Sequence, residues 1–182
     1  MRMKRGIGLV AAIVGLAMLS NSAESGQPPA RNDDVWAPLR FMLGTWDTTS
    51  SGQSGTGTGT REYRLVLRER FIEIRTRATY PPQDKNPKGE VHEDVGFISY
   101  DRSRKTFVFR QFHAEGFVNT YVAQADNPLT FVTETIENLP DGYRAREIYR
   151  IASPNEFVET FSLAEPGKDF AMYSETRLKK QR

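Results

Sequence analysis

From residue 44 onward, apolar and polar side chains alternate over short runs separated by turn residues. Alternation with a period of two puts successive side chains on opposite faces, so each run predicts a strand with one buried face. The runs are 44–50, 56–66, 70–80, 92–100, 106–113, 117–124, 129–136, 143–151, 156–163 and 170–178. Asp101-Arg102-Ser103-Arg104, Asp126-Asn127-Pro128, Pro140-Asp141-Gly142, Ser153-Pro154-Asn155 and Pro166-Gly167 supply turn chemistry between them. Ten strands joined by hairpin-length loops predict an all-β protein, a ten-stranded antiparallel up-and-down β-barrel. Eight strands are about filled by their own side chains, so ten are expected to enclose a cavity. The charged connection at 81–90 is longer than the others and reads as a mobile flap.

Two features precede the alternation or interrupt it. Asp33 and Asp34 are placed to cap a short helix with Trp36, Leu39 and Leu43 on one face and Pro38 in its first turn. Gly55, Gly57 and Gly59 leave one strand face bare, which means that something large approaches it, a packed neighbour or a ligand.

Parity assigns the inward faces. Phe107, Phe109, Gln111 and His113 lie opposite Val108, Arg110 and Phe112; Tyr143, Ala145, Glu147, Tyr149 and Ile151 lie opposite Arg144, Arg146 and Arg150. In the last run parity puts Phe170, Met172, Ser174 and Leu178 inside and Tyr173 outside.

Composition changes the picture at the start of the chain. A basic opening (Arg2, Lys4, Arg5), an apolar stretch to Leu19 and the small residues Ser20 to Ala23 have the layout of a secretory signal peptide. The expected organisation is a signal peptide over 1–22, a loose leader over 23–32 and one barrel domain over 33–182. Of 25 basic residues the signal holds three, so the rest of the chain carries 22 against 23 acidic ones. That balance argues against nucleic acid and against a polybasic membrane surface, and no stable membrane anchor is expected after cleavage. The chain has no cysteine, which excludes disulfides, thiolate ligands and thiol nucleophiles. A periplasmic or secreted location follows from the signal.

Trp36-x-Pro38-Leu39, Leu43-Gly44-Thr45-Trp46, the glycine run and Tyr63, together with His92-Glu93-Asp94-Val95-Gly96-Phe97, resemble segments of nitrobindin-like proteins of the calycin group. The resemblance implies a calycin-like barrel and a haem b held by a histidine on the final strand, acting on nitrogen oxides such as peroxynitrite. The chain departs from the pattern there: its histidines are His92 and His113, and Met172 or Tyr173 stands at the axial position.

Candidate chemistry is sparse. Phe107, Phe109, His113, Tyr121, Tyr149, Phe161 and Met172 are the expected ligand-binding lining if the barrel is open, and plain core if it is filled. Arg75 and Arg110 are possible contacts for an anionic headgroup. Glu147 and Glu159 fall on inward positions of neighbouring strands, where paired carboxylates can serve as acid and base or be neutralised by an arginine. His92-Glu93 does not complete a zinc helix motif, because Gly96 stands where the second histidine belongs, and no metal site is expected. No nucleophile elbow, triad or nucleotide fingerprint is found. The leading expectation is an exported barrel that carries or senses a small hydrophobic or amphipathic molecule. The alternatives are the haem protein and a filled barrel that binds a partner through its outer face.

Overall fold

A computed structural model describes residues 34–182, and there all ten expected runs form strands that close into one antiparallel barrel. They are β1 (Gly44–Gly52), β2 (Gly55–Val66), β3 (Phe71–Tyr80), β4 (Glu90–Asp101) and β5 (Thr106–His113). The second half comprises β6 (Val118–Ala123), β7 (Leu129–Glu137), β8 (Arg144–Ser153), β9 (Glu156–Ala164) and β10 (Ala171–Lys180). Each strand pairs with its sequence neighbour, and β1 closes on β10 from Trp46↔Lys180 to Gly52↔Ser174. Closure leaves no strand edge exposed. The signal peptide and leader expected over 1–32 lie outside the described residues, as does Asp33.

A 3₁₀ helix, Ala37–Met42, precedes β1 and seals one end. Pro38 sits in its first turn as expected, but the cap position is Trp36 and no side chain caps it, which corrects the expected aspartate cap. Leu39 and Met42 are fully buried. The Trp46 indole donates to Met42 O at 2.6 Å, and the Trp36 indole donates to Glu69 O at 2.9 Å, tying the helix to the β2–β3 turn. Trp46 also meets Phe157 edge-on at 4.6 Å, and Trp36 stacks on Phe107 at 5.7 Å.

Above this plug the inward aromatics fill the barrel. Tyr63, Ile72, Ile74, Ile98, Phe107, Phe109, Tyr121, Phe131, Tyr149, Phe157 and Leu178 form one buried cluster. Phe109 stacks on Tyr121 at 5.4 Å and meets Phe131 edge-on at 5.9 Å. Each such side chain contributes about 1.5–3 kcal/mol by leaving water. Four of the residues expected to line a cavity, Phe107, Phe109, Tyr121 and Tyr149, are therefore core.

The glycine run faces inward and is bare because of packed neighbours. A Cβ on Gly57 would lie 2.7 Å from the Tyr80 ring, and one on Gly59 would lie 2.1 Å from Arg77 O and 2.6 Å from Ala78 Cα. The Gly59 clash is with backbone, which cannot move aside without breaking the β2–β3 pairing. Gly59→Val is expected to cost more than about 2 kcal/mol in urea unfolding, while Thr58→Val, on the exposed side of the same strand, stays within about 0.5 kcal/mol.

The expected flap is pinned. Gln83 Oε1 accepts from Thr56 N at 2.7 Å, Gln83 Nε2 donates to Thr56 O at 2.9 Å, and Lys85 Nζ donates to Gly52 O at 3.0 Å. The connection is thereby fastened to the β1–β2 hairpin, with its own Gln83–Asn86 bridge.

The outer wall is charged. Glu73 faces outward, gripped by Arg64 at 2.7 Å and Arg75 at 2.6 Å, and these bonds, Arg64's first, hold its carboxyl below the usual range against its burial. Arg77 pairs with Glu93, and Arg177 with Glu156. A lipid-facing barrel shows the reverse, an apolar outer band. Among the described residues, no helix is long and apolar enough to cross a membrane.

Candidate functional site

The half of the barrel away from the helix holds a cavity of about 400 Å³, within the size range of small-molecule sites. It has a polar floor and a mixed rim, on which apolar side chains stand alongside Glu90, His92 and Glu115. Alternation along each strand builds the floor one position above the aromatic core. Thr48 stands above Trp46 on β1, Arg61 above Tyr63 on β2, Thr76 above Ile74 on β3, and Asp94 two residues from Gly96 on β4. Gln111 follows Phe109 on β5, Asn119 precedes Tyr121 on β6, Glu147 precedes Tyr149 on β8, Glu159 follows Phe157 on β9, and Thr176 precedes Leu178 on β10. All nine floor residues are buried. Nearer the mouth the lining includes Ala78, Tyr80, Phe117, Ile136, Leu139, Ala145, Phe161, Leu163 and Tyr173. β7 and β8 share only four register pairs, Leu129↔Tyr149 to Val132↔Arg146, and then part. There Thr133 Oγ1 substitutes for backbone, accepting from Ala145 N at 2.8 Å.

The floor is charged in a definite pattern. Arg61 and Glu159 form a buried ion pair, and Arg61 Nη1 also donates to the Tyr63 hydroxyl at 3.2 Å. Burial works against the Arg61 charge, but Glu159, with Tyr63, Tyr149 and Asp94 behind it, together outweighs that, so the guanidinium holds its proton firmly. Glu147 accepts a hydrogen bond from the Tyr149 hydroxyl at 2.5 Å. Burial, and then the Glu159 charge, push its carboxyl up to about 8, so it is a neutral acid at pH 7. Asp94 behaves oppositely. Burial opposes its charge too, but His92, Arg61 and Gln111 outweigh that and hold it below the ordinary carboxylate range.

Two histidines stand above the floor on adjacent strands. His92 Nε2 lies 3.4 Å from Asp94 Oδ2, and its Nδ1 lies 3.0 Å from Glu115 Oε1. Asp94, against burial and with help from Glu115, raises the imidazole to about 9. His113 stacks on Phe117 at 4.0 Å, and burial pushes it down to about 4, so it is neutral. One potential ligand atom from each of His92, Asp94 and His113 lies within 4.8 Å of the others. Helical spacing does not reveal this grouping, a pair at i, i+2 on one strand joined by a residue directly across on the next.

Several buried floor atoms have no protein partner: Asp94 Oδ1, Gln111 Oε1, Asn119 Oδ1, His113 Nδ1, Arg61 Nε and the hydroxyls of Thr48 and Thr76. Leaving a buried polar group unpaired costs about 1–3 kcal/mol, so such a set on one cavity points to partners from outside the chain.

Of the expected lining, His113 and Phe161 do face the cavity. Met172 does not. The β9–β10 register shifts between Met172 and Ser174, which turns Tyr173 inward and leaves Met172 60% exposed. Arg75 and Arg110 are exposed on the outer face and cannot reach an interior headgroup. Glu147 and Glu159 do come together on the floor. Arg61, Asp94, Gln111 and Asn119 were not singled out in the sequence, although Arg61 shares the parity of Gly55, Gly57, Gly59 and Tyr63.

The haem implied by the family resemblance does not fit these residues. Met172 lies outside the barrel, and Tyr173 is at the mouth with its hydroxyl 3.3 Å from Ser54 Oγ. The floor offers an ion pair and two further acids where a macrocycle needs an apolar slot.

No family model matches the chain, and no curated protein matches it. Among solved structures, the chain is similar to the crystal structure of Rv2717c from M. tuberculosis, with 16% identity, a TM-score of 0.62, and 82% of this chain and 98% of that one covered. It also matches a de novo designed fluorescence-activating β-barrel, with 17% identity, a TM-score of 0.42, and 78% and 94% coverage. A redesigned barrel bound to DFHBI, mFAP0, follows with 10% identity, a TM-score of 0.45, and 78% and 100% coverage. The first of these likenesses concerns the fold alone.

Proposed function

We propose that the chain is an exported carrier or sensor that holds a small amphipathic molecule in the open half of its barrel. The polar head goes down onto the charged floor and the apolar body rests against the rim. The observation that carries this reading is the set of unpartnered floor atoms facing a cavity of about 400 Å³ whose upper wall carries Ile136, Leu139, Phe161 and Leu163. Asp94 Oδ1 and Gln111 Oε1 are acceptors, so the head is rich in hydrogen-bond donors, a hydroxyl or an amine. The calycin-like resemblance supports a carrier, and the layout of residues 1–23 supports export.

The test has two parts. Organic extraction of the purified protein followed by mass spectrometry should release an amphiphile in near-stoichiometric amount. A medium-chain alkylamine with a fluorophore on its tail should bind saturably, and Ser174→Trp, which puts a large ring at the cavity wall, should reduce its affinity at least tenfold. Met172→Trp, one bulge position away on the outside, should leave it unchanged. Equal binding by both variants, or no saturable binding with nothing extracted, would overturn the proposal.

A further inference from the structure

We infer that His92, Asp94 and His113 form a binding site for a divalent transition-metal ion on the cavity wall. The inference does not rest on the carrier reading. The sheet itself places the donors. His92 and Asp94 are two apart on β4 and so share its inner face, and His113 pairs directly with Asp94 across to β5. Their ligand atoms lie within 4.8 Å of one another. Two imidazoles and a carboxylate from one patch of wall would occupy one side of a metal ion and leave the other side to the cavity. That is the three-ligand arrangement with an open position found where zinc or iron meets a substrate.

The surroundings suit ligation atom by atom. Glu115 accepts from His92 Nδ1 at 3.0 Å, which leaves Nε2, facing Asp94, as the nitrogen that a metal ion would take in exchange for a proton. A carboxylate behind a histidine in this way fixes the tautomer and the ring. His113 is held by its stack on Phe117, and its Nδ1 is buried and unpartnered. Its Nε2 lies 3.2 Å from the Asn119 amide. With that amide turned so that its oxygen faces the ring, Nε2–H donates to it and Nδ1 is bare for a metal. Asp94 is only 4% exposed and its Oδ1 accepts no hydrogen bond. A buried acceptor without a donor is a second, independent sign that a cation completes the site.

Tag-free protein, stripped with chelator and dialysed, is titrated with zinc by calorimetry and with cobalt by absorption spectroscopy. The expected result is one ion per chain, and for cobalt a d–d band showing nitrogen and oxygen ligation. His113→Ala and Asp94→Asn should each weaken zinc binding by 100-fold or more. Glu115→Gln, which acts through His92, should weaken it roughly ten- to 100-fold while keeping the stoichiometry. His92→Ala, at the more exposed end of the cluster, should lose binding equally, with its fold checked by circular dichroism. The absence of a one-to-one complex in wild type, or binding that survives the His92→Ala/His113→Ala double substitution, overturns the inference. Zinc binding without any amphiphile binding would sustain it while removing the carrier proposal, and the converse would do the opposite.

Discussion

Replacing Arg61 by methionine is expected to remove about 3–5 kcal/mol of stability at pH 7, a large part of the roughly 5–15 kcal/mol typical of a domain. The reason is the residue left behind. Glu159 is 6% exposed, and Arg61 is its ion-pair partner on the barrel floor, with Glu147 and Asp94 as the other charged or chargeable neighbours. Removing the guanidinium leaves a buried carboxylate surrounded by acids. Its charge is then opposed by both burial and repulsion. A companion measurement identifies that cause. The Arg61→Met/Glu159→Gln double variant removes both charges and should recover most of the loss, because a buried pair as a whole contributes little net stability. Urea unfolding at pH 7 reads all three proteins. A single variant within about 1 kcal/mol of wild type at pH 7 would mean that water already screens Glu159 and that the floor is wet.

The fold was legible because alternation marks the runs and turn residues separate them. All ten runs became strands, and 106–113 matches β5 to the residue. The contents of the barrel were less legible, for two physical reasons. Parity says which side chains point inward but not how far along the axis they stand. Phe109 and Gln111 share a face, yet one is packed in the core and the other borders the cavity. The boundary between filled and open halves depends on the stagger of ten strands, which no single run encodes. A bulge also reverses parity without any change in composition. Met172, Tyr173 and Ser174 read as a regular strand, and only pairing with Phe161 and Ser162 shows the extra residue. The floor was overlooked for a related reason: charged residues at inward positions look like errors of register until their partners on other strands are known. Arg61 and Glu159 are 98 residues apart, and only closure of the barrel brings them together.

Glu147→Gln is expected to stabilise the protein, increasingly so as the pH rises. The folded carboxyl titrates at about 8, against 4.5 for an unperturbed glutamate. Between those values the unfolded chain has released a proton that the native state still holds, so stability falls as pH rises through that window. Below about pH 4.5 both states are protonated and the group contributes nothing. Above about pH 8 the native carboxylate ionises as well and the penalty stops growing, at no more than about 5 kcal/mol. Glutamine keeps the shape of the neutral acid and a carbonyl to accept from the Tyr149 hydroxyl, but it has no proton to lose. Melting curves of wild type and variant should therefore coincide near pH 4.5, separate in the variant's favour up to about pH 8, and then run parallel. The difference between the two proteins cancels every titration that Glu147 does not touch. A constant offset at all pH values would show that Glu147 is already ionised at neutral pH. The floor would then present a carboxylate rather than a neutral donor to whatever the barrel holds, and its preference would move further toward a cationic head.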